Sequence, residues 1–236
     1  MKKQTGLFLR MLEETEFEKL CAELRTLRTK AALMKRAGFR PRIHDFVRGL
    51  RFSSLLTYRI RDLLRTSGLT ASWGQLIDED GNTCSPECDI IIHGECANLR
   101  WNGNSGDKDP HVMDYHFVPC GEARAVVSCK SLLRGASDVN KERVYLSRLT
   151  RYVKTVWLFA ECCRQGKSRA IRTAAKNTGF KRFWFLYDWV DDDPDFDVRR
   201  ASKTDQWWDF VAAVRQLATH PAKSKSCTAA IKKSKS

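Results

Sequence analysis

Residues 85–92, SPECDIII, set an acid, Asp89, at the head of three consecutive isoleucines; residues 125–130, AVVSCK, set a lysine, Lys130, at the end of a second apolar run. Runs this apolar and this short read as strands covered on both faces, the kind found in the middle of a helix-flanked sheet. An acid and a lysine at the ends of adjacent core strands are costly to bury unless they meet a metal ion, a phosphate or each other. The last of these is a plain ion pair closing the sheet. The other two are functional sites.

Upstream of Asp89, residues 74–78 form another short run, and Asp80-Gly81, which joins it to the run at 88–93, is a hairpin signal. Residues 94–122, rich in Gly, Asn, Asp and Pro, read as a long irregular excursion before the strand at 123–130. Downstream, Val144, Leu149, Val153, Val156, Trp157 and Ala160 predict a helix over about 139–164. A basic stretch, 166–179, leads to RFWFLYDW (182–189), a strong strand, then an acidic turn, VDDDPDFD (190–197), and a last amphipathic helix over 205–217.

Toward the N-terminus, Leu7, Met11, Phe17, Leu20, Leu24, Leu27 and Ala31 recur every three or four residues without Pro or Gly, which predicts a long amphipathic helix over 7–36. Its apolar stripe needs a partner, either the rest of the chain or a second copy in a homodimer. GFRPR (38–42) breaks it, and a second helix is expected from about 43 to 66. The elements compose an α/β fold: a mixed central β-sheet flanked by helices, with a long N-terminal helical extension. The expected organisation is an extension over 1–42, a domain over 43–218 and a basic, low-complexity tail over 219–236.

The 236 residues carry 42 Lys and Arg against 28 Asp and Glu, a formal charge of +14, and are 42% hydrophobic. That is ample apolar material for a core, which excludes a wholly disordered chain. No apolar run approaches the roughly 18–20 residues that cross a bilayer, and the first 20 residues turn acidic before a signal sequence develops, so a cytoplasmic protein with no membrane partner is expected. Nine scattered cysteines do not describe a disulfide scaffold and are read as reduced. Charge is unevenly spread: residues 1–66 sum to +9, 67–138 to −6, 139–217 to +6 and 218–236 to +5. A basic frame around an acidic centre suits a site that holds divalent cations against a phosphate backbone, and nucleic acid is the expected partner.

These residues resemble the PD-(D/E)xK nuclease superfamily, in which a strand-borne Asp is followed by (D/E)-x-K on the next core strand. They are most similar to a bacterial family of uncharacterised nuclease-like domains. Gly49, Gly74, Asp78, Gly81, Ser85, Asp89, the run Ile90 to Ile92, Lys130 and Ser131 follow its pattern in order, over roughly 44–135. The resemblance implies a restriction-endonuclease-like fold and hydrolysis of DNA with Mg²⁺ or Mn²⁺, in a family often tied to defence against foreign DNA. The departures are specific. Ser128 stands where the family has the Glu of Glu-x-Lys, Ser53 where it has a helix Glu, and Glu87 where it has Gln.

Residues 87 and 89 share a strand face, so Glu87 could supply a second carboxylate beside Asp89. The candidate catalytic set is therefore Asp89, Lys130, Glu87 and Ser128, with Asp89 and Glu87 on the metal and Lys130 on water and phosphate. Asp62 and Glu122 are too far along their elements to replace the missing glutamates. Arg134, Lys141, Arg143 and Arg148, with Arg151, Lys167, Arg169 and Arg172, are the basic positions placed to meet phosphate. The competing expectation is a nuclease fold that has lost catalysis and binds nucleic acid or a protein. Cys84, Cys88, His93 and Cys96, with His111, His116 and Cys120, carry a weaker zinc pattern whose spacing is not Cys-x₂-Cys. Trp184, Trp189, Trp207 and Trp208 fit core packing better than base stacking.

Overall fold

The computed structural model describes residues 13–24 and a few positions up to 38, then 45–94, 99–101, 115–190 and 203–219. The expected acidic turn at 190–197 falls almost wholly outside these residues, as do Cys96, His111 and the tail beyond Thr219. Residues 13–24 are helical and form α1. The other elements are α2 (Asp45–Leu64), β1 (Leu69–Ile77), β2 (Cys88–Gly94), β3 (Leu99–Trp101), β4 (Tyr115–Pro119), β5 (Ala123–Leu133), α3 (Ala136–Asn140), α4 (Arg143–Leu149), β6 (Val156–Arg164), α5 (Ser168–Thr178), β7 (Arg182–Trp189) and α6 (Thr204–Thr219).

The strands form one sheet in the order β3-β4-β1-β2-β5-β6-β7. β1 runs antiparallel to β2 and β2 to β5, whereas β1 and β4 are parallel, so the sheet is mixed as the sequence leads one to expect. Ile90, Ile91 and Ile92 are fully buried, and their register partners Val127, Val126 and Ala125 are too. The central strands are thus covered on both faces, which is why they lack the polar–apolar alternation of a half-exposed sheet.

Two expectations are corrected and one helix is added. Residues 94–122 are not irregular throughout, because Tyr115–Pro119 alternates outward and inward and pairs with β1. The helix expected over 139–164 stops at Leu149 and gives way to β6. All eight residues from Val156 to Cys163 are buried, whereas a surface helix would turn half of them to water. The basic stretch 166–179 contains a helix, α5, whose Ile171, Ala174 and Ala175 form its buried face and whose end is closed by Gly179 at φ 112°.

The chain divides into two compact units. The first comprises residues 1–55, 129–144 and 158–210; the second comprises 56–128, 145–157 and 211–236. The first has an aromatic core in which Phe159 meets Phe210 edge-on at 4.6 Å and Trp184 meets Phe210 at 5.2 Å. The Trp184 indole donates to Asp209 Oδ2 at 2.8 Å, so this tryptophan is a core residue with its polar edge satisfied. On α1, Phe17, Leu20, Cys21 and Leu24 are buried, and Phe17 stacks on Trp207 at 5.6 Å. Of the two partners the stripe allows, this part of it is covered by its own chain. Glu161 on β6 is also buried here and accepts a short hydrogen bond from the Tyr187 hydroxyl.

In the second unit β1 and β2 are joined through a hairpin tip at 78–82. Asp78 N–H donates to the Asn82 carbonyl at 3.0 Å, and Asp78 Oδ1 accepts from the backbone N–H groups of Asp80 and Asn82 at 3.0 and 2.8 Å. That is a side chain standing in for a turn's backbone acceptor. The helix expected at 43–66 is α2, and Arg61 on it donates to the Ala71 carbonyl at 2.6 Å, tying helix to strand.

Candidate functional site

Asp89 is the second residue of β2 and half-buried. The antiparallel register pairs Ile90 with Val127, so one step along it Asp89 stands across from Ser128, which is 1% exposed. Where the resemblance implies a glutamate facing Asp89, the sheet therefore presents a small hydroxyl. Lys130 lies two residues beyond Ser128 on the same side of β5, and it belongs to the first unit. It does not end its strand as expected, because β5 continues to Leu133. Its ammonium is 2.9 Å from Glu142 Oε1, in the turn between α3 and α4.

Glu87 precedes β2 and is exposed; its Oε1 accepts from the Trp73 indole N–H at 2.8 Å. One oxygen of the carboxylate proposed for a metal is thus tied to β1. Mg²⁺ wants near-octahedral oxygen with one or two carboxylates and the substrate's phosphates. Among the described residues no group of three or more His, Cys, Asp and Glu side chains could hold a metal ion. With Ser128 in the place of a carboxylate and Glu87 turned to Trp73, these side chains do not by themselves make a divalent-metal site. Ser53 Oγ donates to the Leu50 carbonyl at 3.1 Å, and Asp62 pairs with Arg59 and Arg65 at 3.7 and 3.3 Å, so neither replaces the missing acid.

Several residues that carry the resemblance have structural work in the second unit. Gly74 has φ 156°, and a Cβ there would collide with the His116 carbonyl on the parallel strand β4. Asp78 and Gly81 make the hairpin tip. Ser85 Oγ accepts from Leu76 N–H and donates to the Pro86 carbonyl, both at 2.8 Å, which fixes the approach to β2.

Among the described residues the zinc pattern breaks into pairs: the His93 and His116 rings lie 6.4 Å apart, and no group of three forms. His93 Nδ1 donates to the Gly94 carbonyl at 2.7 Å, which leaves Nε2 to accept from the Ser72 hydroxyl at 2.8 Å. Burial holds this imidazole down at a pKa of about 4, so it is neutral. Cys88 is buried, and that burial pushes its thiol up to about 12. Cys84 Sγ lies 2.9 Å from Cys120 Sγ.

The basic candidates separate into two groups. In the first unit Lys141 pairs with Asp138 at 3.7 Å and the Arg134 backbone N–H donates to the same carboxylate at 2.8 Å, with Arg143 exposed nearby in sequence. In the second unit Arg148 and Arg151 come together on a cavity with residues 83–86 and Tyr152. Sequence reasoning names both arginines but not the cavity, whose other wall is more than 60 residues away. It misses Glu142 altogether, because nothing local links that residue to Lys130.

No protein-family model matches the sequence, and no curated protein does. Among solved structures, the chain is similar to NucC of P. aeruginosa ATCC27853 in its cAAA-bound form, at 12% identity over 84% of this chain and 90% of that one, with a TM-score of 0.48. NucC of E. coli MS115-1 in its cAAA-bound form is 13% identical over 87% and 90%, with a TM-score of 0.49. The apo form of the E. coli protein is 12% identical over 70% and 90%, with a TM-score of 0.42. Among the described residues no helix is long and apolar enough to cross a membrane.

Proposed function

We propose that residues 43–218 are a restriction-endonuclease-like, PD-(D/E)xK-type domain that engages the phosphodiester backbone of DNA. The observation that carries this reading is the β2–β5 register, which sets Asp89 across from Ser128 two residues ahead of Lys130. A strand-borne acid, and a lysine two residues after the position facing it in sequence, are what the resemblance requires. In this domain Lys130 meets phosphate, and the basic flanks supply the sequence-independent attraction.

Backbone binding without hydrolysis is the version that the side chains favour. A hydroxyl at 128 cannot supply the charge of a glutamate, and Glu87 is engaged by Trp73. Metal-dependent hydrolysis with Mg²⁺ or Mn²⁺, serving defence against foreign DNA, is the second reading; Asp89 and Lys130, both retained in the motif order, favour it.

Supercoiled plasmid incubated with wild-type protein and with Lys130→Ala, with Mg²⁺ or Mn²⁺ supplied, separates the two. Intact plasmid in every lane, with salt-sensitive retention of DNA that Lys130→Ala weakens, is the expected result. Cleavage by wild type that Lys130→Ala abolishes would establish the hydrolytic reading. No retention and no cleavage would sink both.

A further inference from the structure

The β1–β2 connection and the end of α4 border an open polar cleft of about 350 Å³ within the second unit, lined by Thr83, Cys84, Ser85, Pro86, Arg148, Arg151 and Tyr152. Two of its carbonyl acceptors are already engaged. The Ser85 carbonyl accepts from Gln75 Nε2 at 3.2 Å, and the Pro86 carbonyl accepts from the Ser85 hydroxyl and, at 3.4 Å, from the Cys88 thiol. No carboxylate lines the cavity. Neither arginine has a carboxylate partner among the described residues. What faces the space is an excess of donors and positive charge, the chemistry that selects an anion.

The size narrows the anion. Ligand sites run from about 300 to 1,000 Å³, so this one takes something small. Two neighbouring guanidinium groups match the oxygens of a phosphate with charge-assisted bonds. At the rim Tyr152 is 41% exposed and offers a face on which a base can stack. We infer that this cavity binds a nucleotide, Arg148 and Arg151 holding its phosphate and Tyr152 its base.

The nucleotide comes either free or as one unit of a polynucleotide. The inference builds on the DNA-engaging reading but does not need hydrolysis, so binding is measured in a chelator and plasmid cleavage bears on Lys130 alone. The probes are adenosine monophosphate, a short fluorescein-labelled oligodeoxynucleotide and inorganic phosphate as competitor. Wild type is expected to bind at least one of the first two saturably, with phosphate competing; the tighter probe identifies the source. Arg148→Ala and Arg151→Ala should each weaken binding about tenfold or more, from the loss of hydrogen bonds to a charged group. Tyr152→Ala should weaken the nucleotide and leave phosphate unchanged. Lys181→Ala, which removes one exposed charge from the first unit, should cost less than about threefold through the general field. All four positions are exposed, and unchanged thermal melting verifies that the variants fold. Absence of saturable binding by both nucleotide probes overturns the inference, as does a Lys181→Ala loss equal to that of Arg148→Ala.

Discussion

Lys130 Nζ lies 2.9 Å from Glu142 Oε1, with the lysine side chain 31% exposed and the glutamate 18%. A pair this sheltered is screened less than a surface pair, yet water still reaches the lysine, so it stabilises the fold by only about 1 kcal/mol. Its larger effect is on the free charge of Lys130. Glu142→Gln keeps an acceptor for the ammonium and removes the opposing charge. DNA retention should therefore strengthen, and the slope of log affinity against log salt should steepen by about one. Lys130→Ala should shift the slope the other way. A slope indifferent to Glu142 would mean that Lys130 does not meet phosphate.

The β1–β2 hairpin and the two strands that carry Asp89 and Lys130 were legible because their signals are local: three isoleucines after Asp89, Asp80-Gly81 at a turn, a valine pair before Lys130. The element after α4 was not. Val156 to Ala160 fits a helical stripe as well as a buried strand, and only the burial of both faces of β6 in the folded chain decides between them. Gly74, Gly81 and Asp78 were legible as a pattern and misleading as chemistry, since their work is to shape the hairpin and to let β4 approach β1. Glu142 beside Lys130, and Arg148 beside Ser85, arise from chain segments that only the fold brings together.

Gly74 gives the sharpest test of that shaping role. At φ 156° with the His116 carbonyl against it, an alanine there carries both strain and a clash with backbone that cannot swing aside. Gly74→Ala should cost about 3 kcal/mol. Gly81→Ala is its control: φ is 85°, but nothing lies within 4 Å, so only the left-handed strain of about 1 kcal/mol applies. Urea denaturation of the two variants measures both. Equal losses would show that the approach of β4 to Gly74 is not tight.

His93 predicts a pH dependence of stability. Its ordinary pKa is 6.5 and burial lowers it to about 4 in the folded chain. Between those values the unfolded chain binds a proton that the folded chain does not, so unfolding gains as pH falls. Stability conferred by the neutral ring is fully present above pH 6.5 and is lost progressively down to about pH 4, a total of about 3 kcal/mol. His93→Gln, which has no such proton to bind, should flatten the change of denaturation midpoint across that window. A wild-type slope that survives the substitution would assign it to other groups.

The remaining pair is Cys84 and Cys120, whose sulfurs are 2.9 Å apart on the hairpin and at the turn between β4 and β5. Burial, then the neighbouring Cys84, pushes the Cys120 thiol up to about 12, so little thiolate exists at neutral pH and the pair should persist as dithiol without an added oxidant. Diamide supplies one: it accepts the two hydrogens while the sulfurs join. The product closes the loop between two parts of the second unit and should raise stability by about 3 kcal/mol, provided the bond forms without distorting either turn. Intact mass should fall by two hydrogens, peptide mapping should link residue 84 to residue 120, and a reductant should reverse the gain in melting temperature. Cys84→Ser should abolish all three. Crosslinks to Cys88 or Cys129 without the 84–120 link would show that sulfur proximity here does not extend to bonding geometry.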